Sequence, residues 1–481
     1  MQRFNQYKRI ITFLQSAVII GIETFIFSVV WYGYYIEATG VPFWRRGNWA
    51  VIGFYALILF LFTQLYGGFK IGYLRLMDVL YSQILSLICT NIAAFLLVCI
   101  IARDYMSVIP ILQITLVDAT IVIPWILFCK WIYGKLYPPH RMLLIYSDRD
   151  PDNLVKKIST RQDKYLIEDM IHIDEGEEKL KAKVLQFESV IICDIPTGMR
   201  NIILKFCFQN AVRTYTTPKL SDIIMMSSTN IHLFDTPLLL SKNQGLLFEQ
   251  KIAKRAFDMI ISLFGCIIAA PIMLVIALLV KLYDRGPVFY KQERLTFEGG
   301  TFTVLKFRSM RVDSEEKGAR LATKHDTRVT PVGKVIRNLH LDELPQLFNV
   351  IKGDMSLVGP RPERREIADQ YKMSMPEFDY RLKVKAGLTG YAQVYGKYNT
   401  TPYDKLKMDL YYIQNYSFWL DIKILLLTFK ILFQKENTEG VESWQVTAEK
   451  PKRLKAKPGK IYVLKESHEI HESDKPEKQA R

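Results

Sequence analysis

HLDELPQLFNVIKGDMSLVGPRPE, residues 340–363, is the stretch on which the reading of the chain turns. It brings together two adjacent carboxylates, Asp342 and Glu343, a glycine turn, and Arg361 between two prolines. Pro345 follows the acidic pair, and proline suits the first turn of a helix. Asp342 and Glu343 then fall at or just before a helix N-terminus. There the helix dipole favours an ionised carboxylate and keeps it competent as a nucleophile. For the dipeptide taken alone, an N-cap aspartate followed by a first-turn glutamate is the simpler reading.

Upstream lies MIISLFGCIIAAPIMLVIALLV, residues 259–280, uncharged and of about the length needed to cross a bilayer. Pro271 sits in its middle, where it removes a backbone hydrogen bond and kinks a helix. Basic residues flank both ends: Lys251, Lys254 and Arg255 before, Lys281, Arg285, Lys291 and Arg294 after. A segment with both ends on the basic side dips in and returns. A re-entrant helix is therefore expected at about 257–283, kinked at Ala270–Pro271. The alternative is a kinked fifth spanning helix.

The whole chain has 481 residues, 49% hydrophobic and 23% charged, with a formal net charge of +16 and a mean hydropathy of +0.07. The apolar residues are clustered in long runs, which is a membrane signature. Positive charge in such a protein is explained by basic flanks and anionic lipid. No nucleic-acid-binding motif accompanies it, so no nucleic acid partner is expected. The six cysteines form no Cys-x-x-Cys pair, and four lie in apolar runs, so neither disulfides nor zinc are expected. The first apolar run is too long for a cleavable signal and lacks a small-residue cleavage site.

Four runs, about 10–36, 49–69, 79–101 and 107–133, each carry enough apolar residues for a spanning helix. They define a four-helix transmembrane domain over residues 1–138. The basic flanks favour both termini inside, although Arg45, Arg46 and Arg103 lie on the other side. Trp31, Trp49, Trp125 and Trp131 lie near run ends, as interface anchors do. Glu23 and Asp118 sit inside runs. An intramembrane carboxylate is a functional candidate, but with no obvious basic partner each reads as a helix–helix hydrogen bond or a local water defect.

Residues 139–250 alternate strand-like and helix-like segments: RMLLIYSD, DPDNLVKKI, SVIICDI, NIILKFCFQNAV, RTYTTP. That pattern predicts a small Rossmann-like α/β domain with a parallel sheet. After its first strand a dinucleotide fold needs Gly-x-Gly-x-x-Gly, and the chain has Tyr146-Ser147-Asp148-Arg149-Asp150 instead. Cofactor binding is not expected there. Asp148-Arg149-Asp150 also has the form of a D-x-D metal motif, although an Asp-rich turn is the simpler reading. Residues 435–481 mix Lys, Glu and Pro with few aromatics and read as a flexible charged tail. Residues 417–434 look like an interfacial helix, with a core helix as the alternative.

Beyond the dyad, KRAFDMIIS, GPVFYKQER, FTVLKFRSM, GKVIRNLHLDELPQLFNVIKGDMSLVGPRPE, GLTGYAQV and DLYYIQNYSFWLDIKIL follow one another over residues 251–434. This succession resembles the bacterial sugar transferases, the monotopic polyprenyl-phosphate phosphoglycosyl transferases. With the anchor and α/β domain, the chain is similar to the larger members that initiate capsule, exopolysaccharide or O-antigen assembly. The resemblance implies an enzyme that transfers a sugar 1-phosphate from a UDP-sugar to undecaprenyl phosphate, releasing UMP. It implies Asp342 as nucleophile, Glu343 in magnesium binding or proton handling, and Asp409 as an assisting metal carboxylate. It also implies a multi-pass protein of the bacterial inner membrane with its catalytic domain, residues 251–434, in the cytosol.

Negative charge on two phosphates calls for Mg2+ and basic clamps. Lys306, Arg308, Arg337, Arg361 and Lys385 are the candidates for substrate binding, with Gly353, Gly359, Gly387 and Gly390 allowing close approach of backbone to phosphate. Three positions depart from the family pattern: Ala270 replaces serine before Pro271, Ala386 replaces proline before Gly387, and Tyr391 replaces tryptophan. None touches the dyad, so activity is expected. A glycosyl transferase releasing UDP and a non-catalytic assembly scaffold are the rival readings. The identity of the sugar, direct against covalent displacement, and homo-oligomer formation are open at this level. The fold expected is thus an α-rich membrane protein: a four-helix bundle, a small α/β domain, and a mainly helical catalytic domain on a re-entrant helix.

Overall fold

The computed structural model describes residues 7–40, 45–147, 151–241, 245–310, 328–397 and 400–432. Asp148-Arg149-Asp150 and the tail read at 435–481 lie outside the described residues. The chain divides into two compact units. One joins the N-terminal helices, to Pro138, with the described residues from Pro218 onward; the other, among the described residues, is Pro139–Thr217.

The first unit begins with four helices: α1 (Lys8–Thr39), α2 (Arg45–Tyr66), α3 (Leu76–Ala102) and α4 (Ile109–Leu136). All four are long and apolar enough to cross a membrane. α1 packs on α2 and α4, and α3 packs between α2 and α4. Phe27, Tyr55, Leu59, Ala94 and Ile114 form the core, where Phe27 and Tyr55 stack at 4.1 Å. Trp31, expected at an interface, is fully buried instead, and its indole N–H donates to Asn48 Oδ1 at 3.1 Å. A buried indole N–H takes a partner, and this one comes from the next helix. Glu23 and Asp118 also face the interior. The Asp118 carboxylate makes no hydrogen bond to the described residues, so the expected helix–helix bond is not formed there.

The second unit is a parallel sheet in the order β2–β1–β3–β4, made of β1 (His140–Tyr146), β2 (Tyr165–His172), β3 (Ser189–Cys193) and β4 (Arg213–Thr216). Its strands alternate faces, as the pleat requires. Leu143, Ile145, Val190 and Ile192 face α6 (Glu177–Val184) and α7 (Thr197–Gln209); Met142, Leu144 and Ile191 face α5 (Asp152–Ser159). The edge strand β2 and helix α6 are absent from the sequence reading, because Glu168 and Asp169 interrupt the apolar pattern of a half-exposed strand. The unit ends at Thr217, whereas the sequence reading ran to 250. Residues beyond it form α8 (Leu220–Met226) and the hairpin β5 (Thr229–Leu233)–β6 (Thr236–Leu240), and Ile223 of α8 packs with Leu295, Ala368 and Leu406 of the first unit.

The remainder of the first unit is built on α9 (Phe248–Asp284), a helix of 37 residues that runs through Pro271 without interruption. It is followed by the antiparallel pair β7 (Phe289–Leu295) and β8 (Thr301–Phe307), α10 (Pro331–Asn338), a 3₁₀ turn (Leu341–Glu343) and α11 (Gln346–Lys352). Then come β9 (Ser356–Val358), α12 (Arg365–Ser374), a 3₁₀ segment (Pro376–Lys383), β10 (Gly387–Thr389) paired parallel to β9, α13 (Tyr391–Tyr395), α14 (Pro402–Gln414) and α15 (Phe418–Leu432).

These elements grip α9 along most of its length. Near its start, Lys254 Nζ pairs with Asp421 Oδ2 at 2.5 Å, Arg255 donates to the Val350 and Ile351 carbonyls, and Asp258 accepts from Ser356 Oγ at 2.7 Å. Near its end, Ala269, Met273, Ile276 and Val280 pack against Phe307, Ile336, Leu341 and Leu344. The other face, including Ile260, Phe264, Ile267, Leu274 and Leu278, is apolar and exposed. α15 buries Asp421, Ile424 and Leu427, as a core helix does, while Trp419 and Phe429 stay exposed. Its Lys430 Nζ donates to the Tyr66 carbonyl at 3.2 Å and to Ser82 Oγ at 2.7 Å, tying it to α2 and α3.

Candidate active site

The acidic pair lies on the 3₁₀ turn between α10 and α11. Thr330 caps α10 by accepting from the Gly333 N–H, and Pro331 opens the helix. His340 then takes a left-handed conformation, φ +54°, and its N–H bonds back to the Arg337 carbonyl. A non-glycine residue held there carries strain that the surrounding structure must impose. The turn it starts sets Leu341 and Leu344 on α9 and leaves Asp342 and Glu343 for other partners.

Glu343 Oε1 accepts from Lys306 Nζ of β8 at 2.6 Å and from Arg361 Nη2 at 2.8 Å. Burial pushes the Glu343 carboxyl up, but the charges of Arg361 and Lys306 outweigh it and hold the group well below the usual carboxylate range. Asp342 has the opposite fate. Burial, then the charge of Glu343, raise it to about 6 against the opposing pull of Lys306, Arg337 and Arg361. The helix dipole expected to ease its ionisation is thus outweighed. Lys306 and Arg361 both bond Glu343, so Asp342 lacks the direct cation bonds that hold its neighbour ionised.

Arg361 comes from the turn 360–363, each of whose carbonyls accepts a bond from elsewhere. Gly387 N–H bonds Pro360 O at 2.9 Å, and Arg381 Nη2 bonds Arg361 O at 2.9 Å. Arg294 Nη1 bonds Pro362 O at 3.1 Å, and Leu295 N–H bonds Glu363 O at 3.0 Å. Gly359 enters the turn so close to its neighbours that a Cβ there would lie 2.4 Å from Lys385 O. Gly359, Gly387 and Gly390 therefore serve close backbone packing within the fold; their expected approach to phosphate is not what makes glycine necessary. Gly353, φ +100°, ends α11.

Other residues singled out by sequence fall elsewhere. Arg308 is buried with its guanidinium against Gly286, just past the end of α9. Lys385 Nζ donates to the Gly353 carbonyl at 2.6 Å, where it caps the end of α11. Asp409 pairs with Arg381 Nη2 at 2.8 Å; burial raises it to about 6 against the charge of Arg381. Among the described residues no three His, Cys, Asp or Glu side chains converge as a metal cluster, so Asp409 does not join the dyad. Ala270 and Pro271 lie on the exposed side of α9.

A magnesium ion needs oxygen ligands and commonly takes one or two carboxylates, the rest being water and substrate phosphate. The dyad offers two adjacent carboxylates, oxygen donors of the kind such an ion takes, so the residue types fit it. His340, Arg381 and Glu363 escaped the sequence reading. His340 sits within the motif, and although histidine takes the left-handed region more often than most residues, that preference alone is too weak to place it there.

The profile of the family described as bacterial sugar transferase matches residues 249–435. Over 182 residues the chain is 45% identical to a UDP-N-acetylgalactosamine-undecaprenyl-phosphate N-acetylgalactosaminephosphotransferase of Aeromonas hydrophila, covering 37% of this chain and 43% of the relative. Over 203 residues it is 43% identical to a UDP-glucose:undecaprenyl-phosphate glucose-1-phosphate transferase of Klebsiella pneumoniae, covering 41% and 42%. Over 199 residues it is 39% identical to the uncharacterized sugar transferase EpsL of Bacillus subtilis (strain 168), covering 41% of this chain and 95% of the relative. The chain thus spans less than half the length of the first two and nearly all of the third.

Proposed function

This chain belongs to the bacterial sugar transferase family, and from that premise we propose that it transfers a sugar 1-phosphate from a UDP-sugar to undecaprenyl phosphate, releasing UMP. The observation that carries the proposal is the split fate of the acidic pair: Glu343 is held ionised by Lys306 and Arg361, while Asp342 beside it is bonded by neither.

In this reaction an Asp342 carboxylate oxygen attacks the phosphorus that bears the sugar. The bond from that phosphorus to the UMP oxygen breaks, and UMP leaves with the electron pair. An oxygen of undecaprenyl phosphate then attacks the same phosphorus, the Asp342 carboxylate departs, and a polyprenyl diphosphate sugar forms. Arg361, half-exposed, and Arg337, close enough to act on Asp342, face the charge that the diphosphate brings. Glu343 is the residue to hold Mg2+, which supplies further neutralisation of the phosphates when bound.

We assign the catalytic unit to the cytosolic face of the bacterial plasma membrane, with α1–α4 spanning and α9 re-entrant. Support for re-entrance comes from α9 itself: the elements that follow it hold it through Lys254 and Asp258 near its start and through apolar packing on Val280 near its end. A helix that crossed the bilayer would carry those two grips to opposite faces.

The test is the nucleotide released when purified protein receives undecaprenyl phosphate, Mg2+ and a panel of UDP-sugars. Lipid-dependent UMP is expected, and the donor that responds identifies the sugar. UDP would mean transfer of sugar alone and would refute the role of Asp342. Asp342→Asn should lower release by about a thousandfold or more with the protein still folded in membranes.

A further inference from the structure

We propose that Arg381 and Asp409 are positioning residues, which hold the turn 360–363 so that the Arg361 guanidinium meets Glu343. The proposal rests on the reading of Glu343 and Arg361 as the phosphate-binding side of the site.

The four carbonyls of the turn are held by three segments, β7 taking two of them, and the bond to the Arg361 carbonyl comes from Arg381. That guanidinium is 6% exposed and stacks on the Phe378 ring at 4.9 Å. A buried guanidinium is retained where carboxylates and carbonyls meet its fork. Arg381 has Asp409 at 2.8 Å, itself 1% exposed, and Glu363 more distant at 3.7 Å. Asp409 belongs to α14 and Arg381 to the segment Pro376–Lys383, so neither is near Arg361 in sequence. Their pairing sets where the donor to the Arg361 carbonyl sits. Removing the Asp409 charge leaves Glu363 as the partner of Arg381 and draws the fork away from that carbonyl. The neighbouring prolines cannot compensate, since neither Pro360 nor Pro362 has an N–H to offer.

The side chain that gains from this order is the exposed one. Arg361 is 47% exposed, yet it makes a 2.8 Å bond to Glu343. A long side chain at such exposure loses conformational entropy when it is held in one geometry. A backbone tied at every carbonyl limits where the rest of that side chain can start from.

The experiment uses the full chain in lipid nanodiscs with two variants, Asp409→Asn and Arg381→Lys. Asp409→Asn keeps the side-chain shape; Arg381→Lys keeps the charge but not the fork, and stands in if the first fails to fold. Amide hydrogen exchange is measured on peptides covering 359–363. Exchange there about tenfold faster, beyond any change in peptides elsewhere in the protein, is expected. Unchanged exchange in both variants overturns the proposal.

A second arm compares the KM for the UDP-sugar in Arg361→Ala, in each variant, and in the doubles. If Arg381 and Asp409 act through Arg361, each raises KM several-fold alone and adds little in the Arg361→Ala background. Additive losses overturn the proposal, as does a tenfold shift in the Mg2+ requirement of Asp409→Asn, which would make Asp409 a metal ligand. Faster exchange at the turn with Arg361→Ala leaving KM unmoved would instead refute the reading of the site and leave the positioning intact.

Discussion

At the scale of single residues, two neighbouring carboxyls differ because the cations choose between them. Asp342, raised to about 6 by burial and by Glu343, can act as the proposed nucleophile only when ionised. Its carboxylate fraction grows as pH rises through that value, while Glu343 is already ionised throughout. Lipid-dependent turnover, followed as kcat/KM, should therefore fall about tenfold per unit below pH 6 and level off above it. Part of this was legible in the sequence, which named Asp342, Glu343, Lys306 and Arg361 together; that Lys306 and Arg361 both bond Glu343 was not. Lys385 and Asp409 were misplaced relative to the dyad for one reason. A motif tells which residues travel together along the chain, and both of these spend their charge on distant partners, Gly353 O and Arg381.

At the scale of elements, α9 carries the argument. Its apolar run was plain in the sequence, but its polar grips were not, because Lys254 and Asp258 read as flanking charge until Asp421 and Ser356 are brought to them. Lys254→Ala would leave Asp421 buried without its cation, and the loss of a buried partner costs about 3–5 kcal/mol. A lowered melting temperature in detergent, with the α/β unit still folded, checks this. Single cysteines placed at Lys251 and Arg285 should both react with an impermeant thiol reagent from the same side of sealed vesicles. Reaction from opposite sides would make α9 a spanning helix. The shorter α/β unit teaches a related lesson: α8 reads as one more helix of an alternating pattern, and only the packing of Ile223 against Leu295 and Ala368 assigns it to the other unit.

At the scale of the whole molecule, the family resemblance occupies only the last part of the chain, residues 249–435. The Bacillus subtilis relative is matched over 95% of its own length by that part alone. A chain of residues 245–434 should therefore still fold, bind membranes through α9, and release nucleotide within roughly tenfold of the full protein, as a unit with its own core does. Sedimentation with vesicles and the UMP assay measure both. That truncation loses the Lys430 bonds to Tyr66 and Ser82, which couple α15 to the anchor, and the packing of Ile223 on Leu295, Ala368 and Leu406. Four apolar helices were foreseeable from run length alone. Trp31 was not, since a residue near the end of a run can equally turn inward toward a neighbouring helix.

The turn that carries Arg361 has one more consequence. Its four carbonyls each already accept a bond inside the fold, so the backbone there serves to hold the turn. What it presents outward is one guanidinium, a group matched to phosphate. This edge of the site thus reads the feature every nucleotide sugar shares and is blind to those that distinguish one from another. Donor choice is then expected on other surfaces of the site, so exchanging the sugar accepted should leave residues 359–363 untouched.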